Sequence, residues 1–329
     1  MTAGRSSLNR ETLERAAGLI RAGELVAFPT ETVYGLGANA LDPGAVEKIY
    51  LAKGRPPTSP VIVHVASLEM AYRLVRSWPP QAQILAERWW PGPLTLVLPK
   101  DPVIPGIVTA GLDTVGLRMP AHPMALELIR AAGVPIAAPS ANRFTELSPT
   151  TAAHVRESLG AAVELILDGG PTTVGIESTV LSLASDRPLL LRPGMVTQKD
   201  IEALIGPVQV AGRIENGHPR AHPSPGMHPR HYSPRTPLLL LDGAALPADG
   251  RGAYLCIRRP APASKSVAMP GNAAAYAAVL YETLHRLDQE GWDWIAVERP
   301  PQGPDWAAIN DRLQRAASRL SHFVRGKSD

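Results

Sequence analysis

The residues able to do chemistry concentrate in a few turns of the chain. The segment Phe28-Pro29-Thr30-Glu31-Thr32-Val33-Tyr34-Gly35-Leu36-Gly37 is polar and directly follows an apolar strand, the position where α/β folds tend to place ligands. A hydroxyl there can orient a substrate. Lys53 and Arg55, separated by one residue in a Gly/Pro-rich turn, offer an ammonium and a guanidinium that together suit a polyphosphate. Taken alone, a solvated basic turn is the simpler reading of that pair. His64, at the far end of an apolar strand, reads in isolation as a satisfied core histidine. Pro139-Ser140-Ala141-Asn142 follows another apolar strand and presents hydroxyl, amide and backbone N–H groups suited to phosphate or adenine, or to an ordinary turn. Arg118 sits inside the apolar run Val115 to Met119. A guanidinium in that setting needs an anion, supplied by a protein carboxylate or by a ligand.

Several chemistries are set aside by what the chain lacks. The P-loop pattern is absent. Gly35, Gly37 and Ala40 fit only a loose dinucleotide fingerprint, without the strand-turn-helix context that motif requires. Cys256 is the only cysteine, so neither an intrachain disulfide nor a multi-thiolate zinc site can form, and it reads as a small core residue. His218, His222, His228 and His231 have mixed spacing among prolines, so no metal ligand set is assigned. The 33 basic and 30 acidic residues are too balanced to indicate nucleic-acid binding. Arg312, Arg315 and Arg319 lie at helical spacing and read as a solvated face; the alternative is a basic stripe that docks RNA. No apolar run approaches the ~18 to 20 residues of a membrane helix. With no leader-like N-terminal pattern, a cytoplasmic location is expected.

The elements that must position these residues follow from periodicity. Asn9 is the expected cap of a helix that aligns Leu13, Ala16, Ala17 and Ile20 and stops at Gly23. Asp42-Pro43 opens a second helix, ending near Lys53-Gly54. Strands are expected at Leu25 to Phe28, Val61 to Val65, Leu94 to Leu98, Val115 to Met119, Pro135 to Ala138, Glu164 to Leu167 and Thr179 to Leu183. Helices are expected near Pro123, Pro149 and Gln198. Prolines at 207, 219, 223, 225, 229 and 234 mark an extended linker. Beyond it, strands at Leu238 to Leu241, Ala253 to Ile257 and Trp294 to Val297 alternate with a helix capped by Asn272 and another after Asp305 that aligns Trp306, Ile309, Leu313 and Leu320. The expected domains are 1–205, a linker 206–236, and 237–329.

Ordered motifs run through the first ~200 residues and resemble the YrdC-like family, more specifically its long, two-domain threonylcarbamoyl-AMP synthase form. They comprise the 28–37 segment, Lys53-x-Arg55, Val61 to His64, Trp90-Pro91-Gly92-Pro93-Leu94-Thr95, Thr109 to Thr114, Arg118-Met119-Pro120, Ala138 to Asn142, Asp168-Gly169-Gly170, Glu177-Ser178-Thr179 and Leu191-Arg192-Pro193-Gly194. Ser224 to Met227 and His231-Tyr232-Ser233-Pro234 add the linker pattern.

The resemblance implies a twisted, mixed-sheet α/β catalytic domain, a proline-rich linker closing over the site, and a small Rossmann-like α/β domain. It implies L-threonine contacts at Thr32, His64, Arg118, Ala138 and Ser178, with Arg118 on the threonine carboxylate. ATP contacts fall on Lys53, Arg55, Ser59, Thr114, Ser140, Asn142, Ser148, Arg192 and Tyr232, with Lys53 and Arg55 as the catalytic cations. Ser59 departs from the family's asparagine. The implied reaction joins L-threonine, bicarbonate and ATP, with Mg²⁺, into threonylcarbamoyl-AMP and pyrophosphate, for transfer to tRNA by downstream machinery. A hydrogenase-maturation carbamoyl-transfer enzyme shares such a domain, but its acylphosphatase-like segment and paired Cys-x-x-Cys motifs are not found here.

Overall fold

The computed structural model describes residues 10–212, 232–243, 246–258, 260 and 262–317. The expected cap at Asn9, residues 213–231 of the expected linker, and Arg319 and Leu320 lie outside these residues.

The first part of the chain forms a ten-stranded mixed sheet. Its strands are β1 (Val26–Phe28), β2 (Gly35–Asn39), β3 (Val63–His64), β4 (Leu94–Pro99), β5 (Thr114–Arg118), β6 (Ile136–Ala137), β7 (Leu165–Ile166), β8 (Thr179–Ser182), β9 (Leu189–Arg192) and β10 (Gln209–Val210). Across the sheet they run β10-β9-β8-β4-β5-β3-β6-β2-β1-β7. Seven helices accompany it: α1 (Arg10–Arg21), α2 (Pro43–Lys53), α3 (Leu68–Tyr72), α4 (Pro80–Trp89), α5 (Pro123–Ala132), α6 (Ala152–Leu159) and α7 (Gln198–Ile205).

Local chemistry explains where these elements begin and end. Asp42 Oδ1 accepts from the N–H groups of Gly44 and Ala45, Pro43 occupies the first turn, and Gly54 leaves α2 in the left-handed conformation at φ 61°. That stop sets Lys53 on the last turn and Arg55 just beyond it. α6 starts at Ala152 rather than near Pro149, because the Pro149 and Thr150 carbonyls accept from Tyr34 and Thr172 and hold the backbone extended. Thr151 then caps the helix.

Gly35–Asn39, expected only as a special turn, is a strand antiparallel to β1. Its Gly/Ala content carries no strand propensity, and close packing selects it instead. A Cβ on Gly37 would lie 2.7 Å from Phe28 Cε1 and 2.8 Å from Ile136 Cγ2.

The second part adds a four-stranded, all-parallel sheet, ordered β11-β14-β12-β13, from β11 (Leu238–Leu241), β12 (Gly252–Cys256), β13 (Lys265–Ala268) and β14 (Trp294–Glu298). Helices α8 (Ala273–Gln289) and α9 (Ala307–Ala316) belong to it. Asn272 Oδ1 caps α8 through the Ala275 N–H, as expected. The two parts share buried apolar surface: Val33, Leu147, Ile176 and Tyr232 pack in one cluster with Tyr276, Leu280, Tyr281 and Ile309. Cys256 is buried in β12, in keeping with a core role.

Candidate active site

One cavity opens where the β1–β2 loop meets the ends of β3, β5, β6 and β9. Its walls are Thr30, Thr32, Val33, Gly35, Arg55, Ile62, His64, Arg118, Ala138, Pro139, Ser140, Glu177, Ser178, Arg192 and Tyr232. Nine of the fourteen residues singled out from the sequence therefore meet at one place: Thr32, Arg55, His64, Arg118, Ala138, Ser140, Ser178, Arg192 and Tyr232.

Arg118 ends β5 and lies beside His64 in the parallel register of β3 and β5. It is 4% exposed and its anion is a protein carboxylate: Nη2 stands 2.8 Å from Glu31 Oε1, an ion pair whose angle lies outside hydrogen-bond geometry. Nη1 donates to Thr32 Oγ1 at 2.9 Å and Nε to the Gly92 carbonyl at 3.2 Å. Proton counting then fixes the threonine pair. Thr30 Oγ1 gives its proton to the Val33 carbonyl at 2.6 Å, so the 2.8 Å contact between the two hydroxyls must be donated by Thr32. Thr32 is left as an acceptor toward the cavity. His64 packs edge-on against Phe28. Burial first, then the Arg118 charge, pulls its pKa down to about 3, so the imidazole is neutral.

On the opposite wall, Arg192 at the end of β9 donates through Nε to the Ser178 carbonyl at 3.0 Å and through Nη2 to Ser178 Oγ at 3.2 Å. Ser178 Oγ also lies 2.8 Å from Thr95 Oγ1. The Arg55 guanidinium is 6% exposed and, among the described residues, is bound by the Ser59 hydroxyl and carbonyl and the Pro60 carbonyl, all neutral oxygens. A buried cation held only by neutral oxygens is poised for an anionic ligand. Ser59 is thus engaged by Arg55 at 2.6 Å rather than lining the cavity.

The other four residues lie outside the lining. Lys53 donates to the Ser140 and Asn142 carbonyls, tying α2 to the 140–142 turn. Burial first, then the charge of Arg55, holds its pKa well below the usual lysine value. Asn142 donates to the Arg143 and Glu146 carbonyls, and its buried Oδ1 has no partner among the described residues. Thr114 lines an adjoining crevice with Pro60, Ile62 and Thr95. Ser148 donates to Glu177 Oε1 at 2.5 Å.

Sequence reasoning missed the groups behind these walls. Arg312, expected on a solvated helix face, is 1% exposed. Its Nε donates to Glu177 Oε2 at 2.8 Å, and Tyr281 Oη donates to the same oxygen at 3.2 Å. Burial raises the Glu177 pKa, but the charges of Arg312 and Arg192 and the Ser148 bond outweigh it, and the net shift is downward. The signal was present: Arg312 stands three residues after Ile309 and four before Ala316, on the buried stripe of α9. Arg315 pairs with Asp311, so Arg312 and Arg315 form no free basic stripe. Among the described residues no cluster of three or more metal-ligating side chains occurs, and no helix is long and apolar enough to cross a membrane.

Comparison with known proteins bears on the family of the chain. A family model described as telomere recombination matches residues 18–194, and one described as the C-terminal domain of threonylcarbamoyl-AMP synthase matches residues 196–318. The first description names a process rather than a chemistry; the relatives are more specific. A threonylcarbamoyl-AMP synthase of Bacillus subtilis is 44% identical over 94% of this chain and 94% of its own length. One of Pyrococcus abyssi is 42% identical over 92% and 93%. The crystal structure of P. abyssi Sua5 complexed with L-threonine superposes with a TM-score of 0.89, at 41% identity, over 95% of this chain and 96% of that one. Matched over both domains and nearly its whole length, the chain belongs to the two-domain threonylcarbamoyl-AMP synthase family.

Proposed function

We propose that this protein makes L-threonylcarbamoyl-AMP from L-threonine, bicarbonate and ATP, releasing pyrophosphate, for the threonylcarbamoyladenosine modification of tRNA next to the anticodon. The observation that carries the reading is the convergence of Arg55, Arg118 and Arg192 on one cavity, in a chain that matches synthases of this name end to end. Arg55, held by neutral oxygens, and Arg192 suit a polyphosphate, while Arg118, already paired with Glu31 through Nη2, offers its remaining N–H groups to an amino-acid carboxylate.

In this reading Arg118 takes the threonine carboxylate, Thr32 accepts from the amino acid, and His64, Ala138 and Ser178 complete its pocket. Bicarbonate takes up a proton and loses water to give carbon dioxide, and the amine combines with that carbon dioxide and releases a proton to become a carbamate, so the two protons balance. One carbamate oxygen attacks the α-phosphorus of ATP as the α–β anhydride bond breaks, and the leaving pair departs on pyrophosphate. No protein nucleophile is needed, so the site acts by positioning and charge. Of the ATP contacts that the family resemblance implies, Arg55, Ser140, Arg192 and Tyr232 line this cavity and would meet the nucleotide directly, while Lys53, Ser59, Thr114, Asn142 and Ser148 stand behind or beside its wall. Lys53 acts by holding the 140–142 turn, and Arg55 and Arg192 face the phosphates. If Mg²⁺ takes part it would be held mainly by the phosphate oxygens of ATP and by water, and would offset the charge of the polyphosphate beside Arg55 and Arg192. We read 1–205 as the catalytic domain, 206–236 as a linker whose β10 still pairs with the catalytic sheet and whose Tyr232 lines the cavity, and 237–329 as the second domain. The product passes to the tRNA-modifying transfer machinery of the cytoplasm.

The test is pyrophosphate release by the purified chain with ATP, Mg²⁺ and bicarbonate, comparing L-threonine, L-serine and no amino acid. Threonine-dependent release that disappears in Arg118→Ala is expected. Release that ignores the amino acid would overturn the reading.

A further inference from the structure

The side chain of Arg312 reaches from α9 of the second sheet into the wall of the cavity and touches both backbone segments that carry the site. Nη2 donates to the Glu177 carbonyl at 3.3 Å and Nη1 to the Pro193 carbonyl at 2.9 Å. Each carbonyl belongs to the immediate neighbour of a cavity residue, Ser178 and Arg192. Those two in turn bond each other through Ser178 O and Oγ. Nε closes the arrangement on the Glu177 carboxylate, whose other oxygen takes the Ser148 hydroxyl. The Tyr232 ring lies over the guanidinium, 5.3 Å from its carbon to the ring centroid.

From this geometry we infer that Arg312 is a positioning residue of the synthase reaction, by which the second domain holds Ser178 and Arg192 in their productive places. The inference rests on the function proposed above. A planar guanidinium offers five N–H donors at fixed angles. Spanning the Glu177 and Pro193 carbonyls and the Glu177 carboxylate, with Nη1 donating also to Asp311 Oδ2 of its own helix at 3.0 Å, it sets the spacing of the two segments. A lysine ammonium keeps the charge but cannot hold all three acceptors in that plane. Arg312 is 1% and Glu177 6% exposed, so bulk water has little access to replace these bonds. The second sheet therefore belongs to the active site rather than to a separate binding module.

The test measures KM for L-threonine and for ATP, together with kcat, in the full chain carrying Arg312→Met, Arg312→Lys, or Arg312→Met with Glu177→Gln. The double variant removes both charges of the Arg312–Glu177 pair, and Glu177→Gln alone, measured beside it, separates the effect of altering Glu177 in the cavity wall, so the comparison of the two decides the matter if Arg312→Met does not fold. A purely structural role lowers the amount of folded enzyme, hence apparent kcat, and leaves KM unchanged. Misplaced Ser178 and Arg192 raise KM. The expected result is a rise of about tenfold or more in at least one KM for the folded variants, with Arg312→Lys between wild type and Arg312→Met. Both KM values within twofold of wild type in folded Arg312→Met, or within twofold of Glu177→Gln in the folded double variant, overturn the inference. Absence of threonine-dependent turnover in the wild type would instead defeat the underlying functional reading.

Discussion

At the scale of single residues, the site is a set of ionisable groups whose states are imposed by burial and by one another. His64 has its pKa drawn down to about 3, against an ordinary value of 6.5. His285 is drawn to about 4, mainly by burial, and His154, stacked on it at a centroid distance of 3.8 Å, shifts the same way for the same main reason. In each case the unfolded chain takes up a proton that the folded chain refuses. Stability from these groups is therefore complete above about pH 6.5 and is lost as the pH falls from there through the folded values. We expect the urea midpoint to fall steadily between pH 6.5 and 4, and His64→Gln to reduce that slope. An unchanged slope in a folded variant would show that His64 is not the group responsible. Arg118 illustrates a second lesson. Its apolar strand demanded an anion, and the structure supplies Glu31, a residue inside a recognised motif to which sequence reasoning gave no role.

Elements place these groups through caps and close contacts rather than propensity. α2 delivers Lys53 and Arg55 because Asp42 starts it and Gly54 ends it. Asp42→Ala is expected to cost about 1 kcal/mol, the usual worth of such a cap, read as a lower midpoint in chemical denaturation. β2 depends on Gly37 having no side chain. Gly37→Ala forces Phe28 or Ile136 to move and should cost about 1–3 kcal/mol, the range for overpacked cores. Wild-type stability in that variant would mean that the β1–β2 and β2–β6 spacing is softer than described. The strands at 238–241, 253–256 and 294–297 were legible because four or five apolar, β-favouring residues stand between turn signals. β2, β10 and β13 were not, being glycine-rich, short or half-exposed at a sheet edge, and β9, a buried interior strand of Leu-Leu-Leu-Arg, was not assigned either.

The whole molecule is joined by a buried seam. Gly175 lies so close to α8 that a Cβ would stand 2.3 Å from the Ala277 carbonyl oxygen, and its φ of 80° is unfavourable for other residues. The shared apolar cluster and the Arg312–Glu177 pair run along the same seam. Calorimetry is therefore expected to show one unfolding transition for both sheets rather than two, and Gly175→Ala to lower its temperature. Two separate transitions in the wild type would refute the idea of a common seam.

What the sequence determined alone was local or cumulative. Apolar periodicity located most helices and the longer strands, and many ordered motifs together marked the family and the residues of one cavity. What only tertiary structure decided was which of those residues face the cavity and what restrains them. Lys53 turns onto the 140–142 carbonyls, Ser59 onto Arg55 and Ser148 onto Glu177, while Arg312 crosses from the second sheet to brace the wall. The physical reason is that a side chain's partner is set by distances across the fold, and Glu177 and Arg312 are 135 residues apart in the chain. Helical spacing could place Arg312 on a buried stripe, but only the packed seam brings a carboxylate to meet it.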